Sequence, residues 1–199
     1  ITASPGDSEL VYRIGKMVVN HGHDYSLNIM YLHKYLENRM LLDEFLETSK
    51  ISTFVCLVDS YGSCLPDQVK SMIQYAKSIF SCFVGFHGHN NMELVTANAL
   101  AAIQGGADAL DSTFDGMGRG AGNLRTEVII GILRKYINDK SFDQYYLAQI
   151  EELMQEKKIS YGWGARFPYL YTGINQLPQA DVMSLFETRR YSVLDIYNY

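Results

Sequence analysis

Short apolar, β-branched runs alternate along this chain with longer segments of helical period. Runs at residues 1–3, 26–32, 53–59, 83–87 and 109–113 are too short for helices and read as strands; Phe54-Val55-Cys56-Leu57-Val58 is typical. Between them, residues 8–20 place Leu10, Ile14, Met17 and Val18 along one side, and residues 67–80 do the same with Val69, Ile73, Ala76 and Phe80. Residues 92–104 carry Leu94, Val95, Ala97, Asn98, Ala101 and Ala102, small enough to pack closely on a sheet, and Gly105-Gly106 ends that helix. Thr126-Glu127 opens another helix over residues 128–136, with its acid at the positive end of the dipole. Strand and helix in alternation predict parallel βαβ units and an α/β fold.

Past Asn138 the strand pattern stops. Helices are expected over residues 142–158, 180–187 and 192–199, and the stretch 160–178, with Gly162, Gly164, Pro168, Gly173 and Pro178, is the only long one rich in helix and strand breakers. The expected organisation is a catalytic region over residues 1–138 and a helical C-terminal region over 139–199.

Composition narrows the classes. The 199 residues suffice for one large domain or a domain with an appendage, and 47% hydrophobic with 20% charged residues is the balance of a globular protein. No apolar run approaches the ~18 residues that span a bilayer, so no membrane role is expected. Seventeen basic against twenty-two acidic residues leave a net charge of -5, with no basic excess for nucleic-acid phosphates. Cys56, Cys64 and Cys82 are too few and odd in number for a disulfide framework, which fits a reducing, cytoplasmic setting. Residues 1–4 read as the tail of a strand, not as a signal peptide.

The candidate chemistry sits in three strings. In Gly85-Phe86-His87-Gly88-His89-Asn90-Asn91, strand alternation puts His87 and His89 on one face at a strand's carboxyl end, where α/β enzymes carry their chemistry. Adjacent imidazoles can take two coordination positions on a divalent metal; the alternative is a pair of hydrogen-bonded histidines bracing a turn. His21 and His23 have the same spacing but lie between a helix and the next strand, at the stability face, and are read as structural. Asp59, in Val58-Asp59-Ser60-Tyr61-Gly62, could ligate metal, orient a ligand or bind substrate, or could simply brace the loop. Asn90 and Asn91 precede a helix and read as caps. The third string, Gly116-Met117-Gly118-Arg119-Gly120-Ala121-Gly122-Asn123, permits close backbone approach, but it is neither a dinucleotide fingerprint nor a phosphate loop with its lysine.

Taken in order, these strings resemble the metal-dependent aldolase/lyase superfamily that includes 4-hydroxy-2-oxovalerate aldolase, 3-hydroxy-3-methylglutaryl-CoA lyase and the isopropylmalate synthases. The resemblance covers residues 1 to about 136, and the helical tail, from Gly162 through Pro168-Tyr169 to Asp195, is similar to the aldolase branch less specifically. It implies a (β/α)8 barrel of which these five strands are the last. It assigns the metal to His87, His89 and Asn123, and places Asp59, Ser60 and His33 beside a bound 2-oxo acid. Tyr169 or Tyr171 corresponds to a tyrosine near the substrate hydroxyl. The general base is not identified in this chain.

The family's opening-strand motif, Asp-x-Thr-x-Arg-Asp, which supplies an aspartate ligand and the polarising arginine, is absent from these residues. A barrel of ~250 residues is longer than the chain, so the expectation is a partial barrel whose first three strands precede Ile1. The implied activity is cleavage or formation of a 4-hydroxy-2-oxo acid from pyruvate and an aldehyde, with Mn²⁺, Mg²⁺ or Zn²⁺ as cofactor. A Claisen-type synthase or lyase acting on an acyl-CoA is the alternative within the superfamily, and a catalytically silent partner-binding domain is the alternative outside it. The resemblance also leaves room for a homo-oligomer or a dehydrogenase partner.

Overall fold

A computed structural model describes residues 1–137, 144–188 and Ser192. Five strands, β1 (Thr2–Ala3), β2 (Ser26–Ile29), β3 (Phe54–Asp59), β4 (Phe83–Gly88) and β5 (Ala109–Leu110), form one parallel sheet in the order β1-β2-β3-β4-β5. The order follows the chain without reversal. That is the winding of a (β/α)8 barrel, as expected, and not of a doubly wound sheet.

The helices are α1 (Ser8–Asn20), α2 (Leu46–Ile51), α3 (Pro66–Ile79), α4 (Val95–Gln104), α5 (Thr126–Ile137), α6 (Gln144–Tyr161), α7 (Phe167–Ile174) and α8 (Gln179–Thr188). Among the described residues, no helix is long and apolar enough to cross a membrane.

By internal contacts the chain falls into two units. The first comprises Ile1–Ser60, Cys64–Gly88 and Ala97–Asp111; the second comprises Tyr61–Ser63, His89–Thr96 and the described residues from Ser112 onward. The division expected at residue 138 falls outside the described residues, and the glycine loop and α6 to α8 share the second unit.

In the first unit the register places Leu27 beside Val55, Val55 beside Val84, and Leu57 beside Phe86. Partners in register face the same side of the sheet, so this side is apolar, and it is buried with Phe45, Val69, Ile73 and Ala76 from the covering helices. The other side carries Thr2, Asn28, Cys56, Gly85 and Ala109 in one lateral row. Burial on both sides explains why β3 reads as a continuous apolar run instead of an alternating one. In the second unit a smaller core joins Ala121 to Tyr169 and Val182.

Local differences from expectation have identifiable causes. β2 stops at Ile29, before the expected residue 32, because Tyr31 takes a left-handed φ of 63° and the chain turns into 3-10 helices at Leu32–Tyr35 and Arg39–Phe45, followed by α2, none of which the pattern announced. α4 starts at Val95, beyond the expected residue 92, after Glu93 at φ 57°. β5 is two residues long. α7 forms inside the breaker-rich stretch, with its proline in the first turn, where a missing N–H costs nothing, and Gly173 in the last. α6 ends at Tyr161, past the expected 158, while residues 142–143, where it was expected to begin, and the expected helix at 192–199, apart from Ser192, lie outside the described residues.

Candidate active site

At the carboxyl ends of the first unit's strands, Val58 lies beside His87 and Asp59 beside Gly88. His87 therefore projects from the side of the sheet that carries Cys56 and Gly85. Asp59 shares the strand end but projects to the opposite, helix-covered side. It is fully buried, and its Oδ2 accepts the Cys64 amide at 3.1 Å, which bridges the intervening turn. That is the brace allowed for in the sequence.

Ser60 is buried, and its Oγ accepts the Tyr31 amide at 2.8 Å, holding the left-handed residue that ends β2. His33 lies in the 3-10 turn that follows, edge-on to Tyr31 with ring centroids 6.2 Å apart. Burial, and then the positive charge of Lys34, lower its pKa below the ordinary 6.5, so it is neutral at neutral pH. His21 and His23 are exposed in the turn ahead of β2, and the His21 ring pairs through Nδ1 with the Met17 carbonyl at 2.7 Å.

Asp111, which the sequence reading passed over, follows β5 and lies with Oδ2 3.4 Å from His87 Nδ1. It stands two residues past Ala109, which pairs with Gly85, so alternation carries it to the same side as His87. A carboxylate at Nδ1 favours the tautomer whose Nε2 carries the lone pair, the form in which imidazole binds a cation. The readable signal was an acid two residues beyond a strand's last inward-facing position.

In the second unit, His89 and Asn123 form an antiparallel bridge, and the Asn90 amide donates to the Gly122 carbonyl at 2.9 Å. Directly opposed residues in an antiparallel pair project to the same side, so the His89 imidazole and the Asn123 amide are presented together. His89 is buried. The Asn123 amide is oriented by Nδ2 donating to the Met117 carbonyl at 3.1 Å, and a Cβ at Gly118 would come within 2.6 Å of that Nδ2. Its Oδ1 is buried and has no hydrogen-bond partner among the described residues. An unmet buried acceptor costs about 1–3 kcal/mol, which a cation offsets.

An imidazole beside an amide oxygen is a donor set that suits Mn²⁺, Mg²⁺ or Zn²⁺. The residues present thus fit the implied ion. Among the described residues there is no cluster of three His, Cys, Asp or Glu that could hold a metal.

The helical tail fixes the glycine loop within the second unit. Trp163 donates its indole N–H to the Asp115 carbonyl at 2.9 Å, Gly164 donates to the Gly120 carbonyl at 2.9 Å, and Gln179 Nε2 reaches the Arg119 carbonyl at 3.4 Å. Gly120 has φ +59°, and a Cβ there would meet Gln179 Oε1 at 2.3 Å, so glycine is required. The buried Asp115 carboxylate pairs with Lys158 at 3.0 Å and Arg125 at 3.3 Å.

Asn90 acts as the expected cap, with Oδ1 accepting the Val95 amide at 3.4 Å. Asn91 does not. It is buried, and its Nδ2 donates to the Tyr169 carbonyl, Thr172 Oγ1 and Gln179 Oε1 at 3.3, 3.1 and 3.2 Å. Tyr169 is buried on α7 and edge-on to Phe186 at 5.6 Å, and Tyr171 is half-buried two positions on. No local signal pointed to Trp163 or Gln179, whose partners are distant in sequence.

The HMGL-like family model matches residues 11–154, well over half of the chain. A 4-hydroxy-2-oxovalerate aldolase from Pelotomaculum thermopropionicum is 40% identical over 109 residues, covering 53% of this chain and 32% of that protein. An oxaloacetate decarboxylase from Mycobacterium tuberculosis is 34% identical over 110 residues, covering 54% and 33%. The matched stretch thus spans about a third of these curated relatives. The N-terminal domain of a Bacteroides vulgatus protein described as an aldolase superposes over 100% of this chain and 65% of its own, with TM-score 0.89 and 32% identity. An HMG-CoA lyase from Acenitobacter baumannii, at TM-score 0.62 and 19% identity over 82% of this chain and 61% of its own, shares the fold. With its singly wound parallel sheet and the family match over most of its length, the chain belongs to the HMGL-like family.

Proposed function

We propose that this chain carries the metal half-site of a divalent-metal-dependent aldolase that cleaves or forms a 4-hydroxy-2-oxo acid from pyruvate and an aldehyde. The observation that carries the reading is the His89–Asn123 bridge, which presents an imidazole beside a buried amide oxygen that has no donor among the described residues. The names of the two curated relatives support it chemically. Retro-aldol cleavage of a 4-hydroxy-2-oxo acid and decarboxylation of oxaloacetate both break the C3–C4 bond, C2 being the oxo carbon, and both leave the enolate of pyruvate.

His87, His89 and Asn123 are the residues we assign to the ion, with Mn²⁺, Mg²⁺ or Zn²⁺ all suited to the donors. When bound, the ion supplies Lewis acidity to the carboxylate and oxo oxygens of the 2-oxo acid. Asp111 orients the His87 ring through Nδ1. Asp59 and Ser60 act by holding the turns that border the strand ends, at Cys64 and Tyr31, which is how we read their place beside the substrate. His33, neutral at working pH, is an uncharged hydrogen-bonding group beside them in sequence and turn. Tyr169, its ring held by Phe186, is the tyrosine we assign to the substrate hydroxyl.

The test uses the complete polypeptide. Titration calorimetry with Mn²⁺ and a coupled assay for pyruvate released from 4-hydroxy-2-oxovalerate are run on the wild type, His89→Ala and Asn123→Ala. Expected are stoichiometric binding and pyruvate release in the wild type, with both lost or strongly weakened in the variants. A wild type that binds no divalent ion, or variants that keep full affinity and rate, would overturn the proposal.

A further inference from the structure

The second unit contains a cavity of about 500 Å³ between the glycine loop, the turn after α6 and the last two helices. This is within the usual range for small-molecule sites. Its chemistry is unusual for a chain of net charge -5. Two arginines, Arg119 and Arg166, line it, and among the described residues no aspartate or glutamate does. Lys158 and Arg125, in the same unit, are committed to Asp115, Glu127 and Glu151. Arg119 and Arg166, by contrast, form no ion pair or side-chain hydrogen bond among the described residues. Arg166 instead lies 5.0 Å over the Phe186 ring, which holds it at the wall without satisfying its five donors.

The remaining lining mixes glycine backbone and hydroxyl groups with aromatic and aliphatic side chains. Trp163, Tyr161 and Phe186 supply ring surface, and Met183 adds a deformable thioether. The backbone beneath Arg119 is pinned by Gln179 Nε2 and by the Gly122 amide, which donates to the same carbonyl at 3.0 Å. Trp163 is fixed by its bond to Asp115. A site that holds one cation-bearing backbone and one aromatic wall rigid is preorganised, which lowers the ordering cost of binding.

We propose that this cavity binds a small organic anion with a planar apolar body, its carboxylate or phosphate head on Arg119 and Arg166 and its body against Trp163 and Phe186. Guanidinium forks match both head groups with paired N–H···O bonds. The proposal does not rest on the metal reading, since neither His89 nor Asn123 lines the cavity, although Tyr169, assigned above to the substrate hydroxyl, does.

Trp163 is the single tryptophan of these 199 residues, so its emission reports the site directly. Benzoate and phenyl phosphate are titrated against the chain by fluorescence and calorimetry, with neutral benzamide as control. Benzoate and phenyl phosphate are expected to change the emission saturably. Benzamide, and benzoate against Arg119→Gln or Arg166→Gln, are expected to bind about tenfold more weakly or worse. His89→Ala should leave benzoate binding unchanged, so failure of the metal site and failure of this one are told apart. Should a glutamine variant misfold, phenylglyoxal modification of the wild type decides: benzoate protects Arg119 and Arg166 if the proposal holds. Absence of a saturable change at millimolar benzoate, equal affinity for benzamide, or unprotected arginines would overturn it.

Discussion

Trp163 donates its indole N–H to the carbonyl oxygen of Asp115 at 2.9 Å, tying the turn after α6 to the head of the glycine loop with both residues buried. Trp163→Phe keeps most of the ring but leaves that carbonyl without its donor. The expected loss is about 1–3 kcal/mol, read by circular dichroism in a urea titration. An unchanged midpoint would show that the bond contributes nothing to holding the loop.

Gly85 and Phe54 share one side of the sheet, and a Cβ at position 85 would sit 2.2 Å from the Phe54 ring and 3.0 Å from the Ala109 carbonyl. The Ala109 carbonyl is backbone and cannot yield, so the half-buried Phe54 ring would have to shift. Gly85→Ala is expected to lower stability by about 1–3 kcal/mol through overpacking, and Gly85→Ala combined with Phe54→Leu to recover part of it. A single variant as stable as the wild type would contradict the packing described.

Asp108 accepts from Lys77 Nζ at 2.7 and 2.9 Å and from the Val84 amide at 2.7 Å. Burial pushes its pKa up, but the Lys77 bond, the Val84 amide and the lysine charge outweigh it, so the carboxyl titrates below the usual carboxylate range. A depressed folded pKa means stabilisation that is fully present above the unfolded value of about 3.9 and lost as pH falls through the folded one. Asp108→Asn should therefore cost about 1 kcal/mol or less at pH 7, since the pair is partly exposed. The gap to wild type should close as the pH falls below about 4. Melting both proteins from pH 2 to 7 checks this, and a gap that widens in acid would refute it.

Asp111 sits where it can hold the His87 tautomer. If His87 is a ligand as proposed, Asp111→Asn should weaken Mn²⁺ binding about 10–100-fold while leaving the far-ultraviolet spectrum and the urea midpoint unchanged. Calorimetry on the complete polypeptide gives the affinity. Binding equal to wild type would reduce the His87–Asp111 approach to a surface contact.

Burial makes Cys56 and Cys82 differ in reactivity. Cys56 is fully buried in β3, and desolvation, with a contribution from Asp111, pushes its thiol well above the ordinary range; Cys82, half-buried, is raised mainly by desolvation too. Iodoacetamide at pH 8 should alkylate Cys82 first, with Cys56 modified only on unfolding. Peptide mapping at successive times gives the order, and early labelling of Cys56 would contradict its placement.

The period of apolar residues was enough to locate all five strands and the helices at 8–20, 66–79 and 126–137, because a face buried against a neighbour imposes its spacing on a local window. The same spacing singled out His87 and His89, and the resemblance added Asn123. What it could not show is which side of a strand a terminal residue takes once the chain begins to turn. Asp59 and His87 end neighbouring strands, yet register puts them on opposite sides. Helical structure at residues 32–51 was also invisible, since the 3-10 turns after Tyr31 and Asn38 and the six-residue α2 are too short to show an apolar period.

Sequence alone therefore determined the element types, the winding expected of parallel βαβ units, and the kinds of side chain available for chemistry. Tertiary structure alone decided their partners. Trp163 meets Asp115 across 48 residues, Asn91 meets Gln179 across 88, and the same folding leaves Arg119 and Arg166 lining one cavity. The physical reason is range: a buried face writes its period into a dozen consecutive residues, whereas a hydrogen bond between distant segments forms only after packing has brought them together, and leaves no periodic trace in either one.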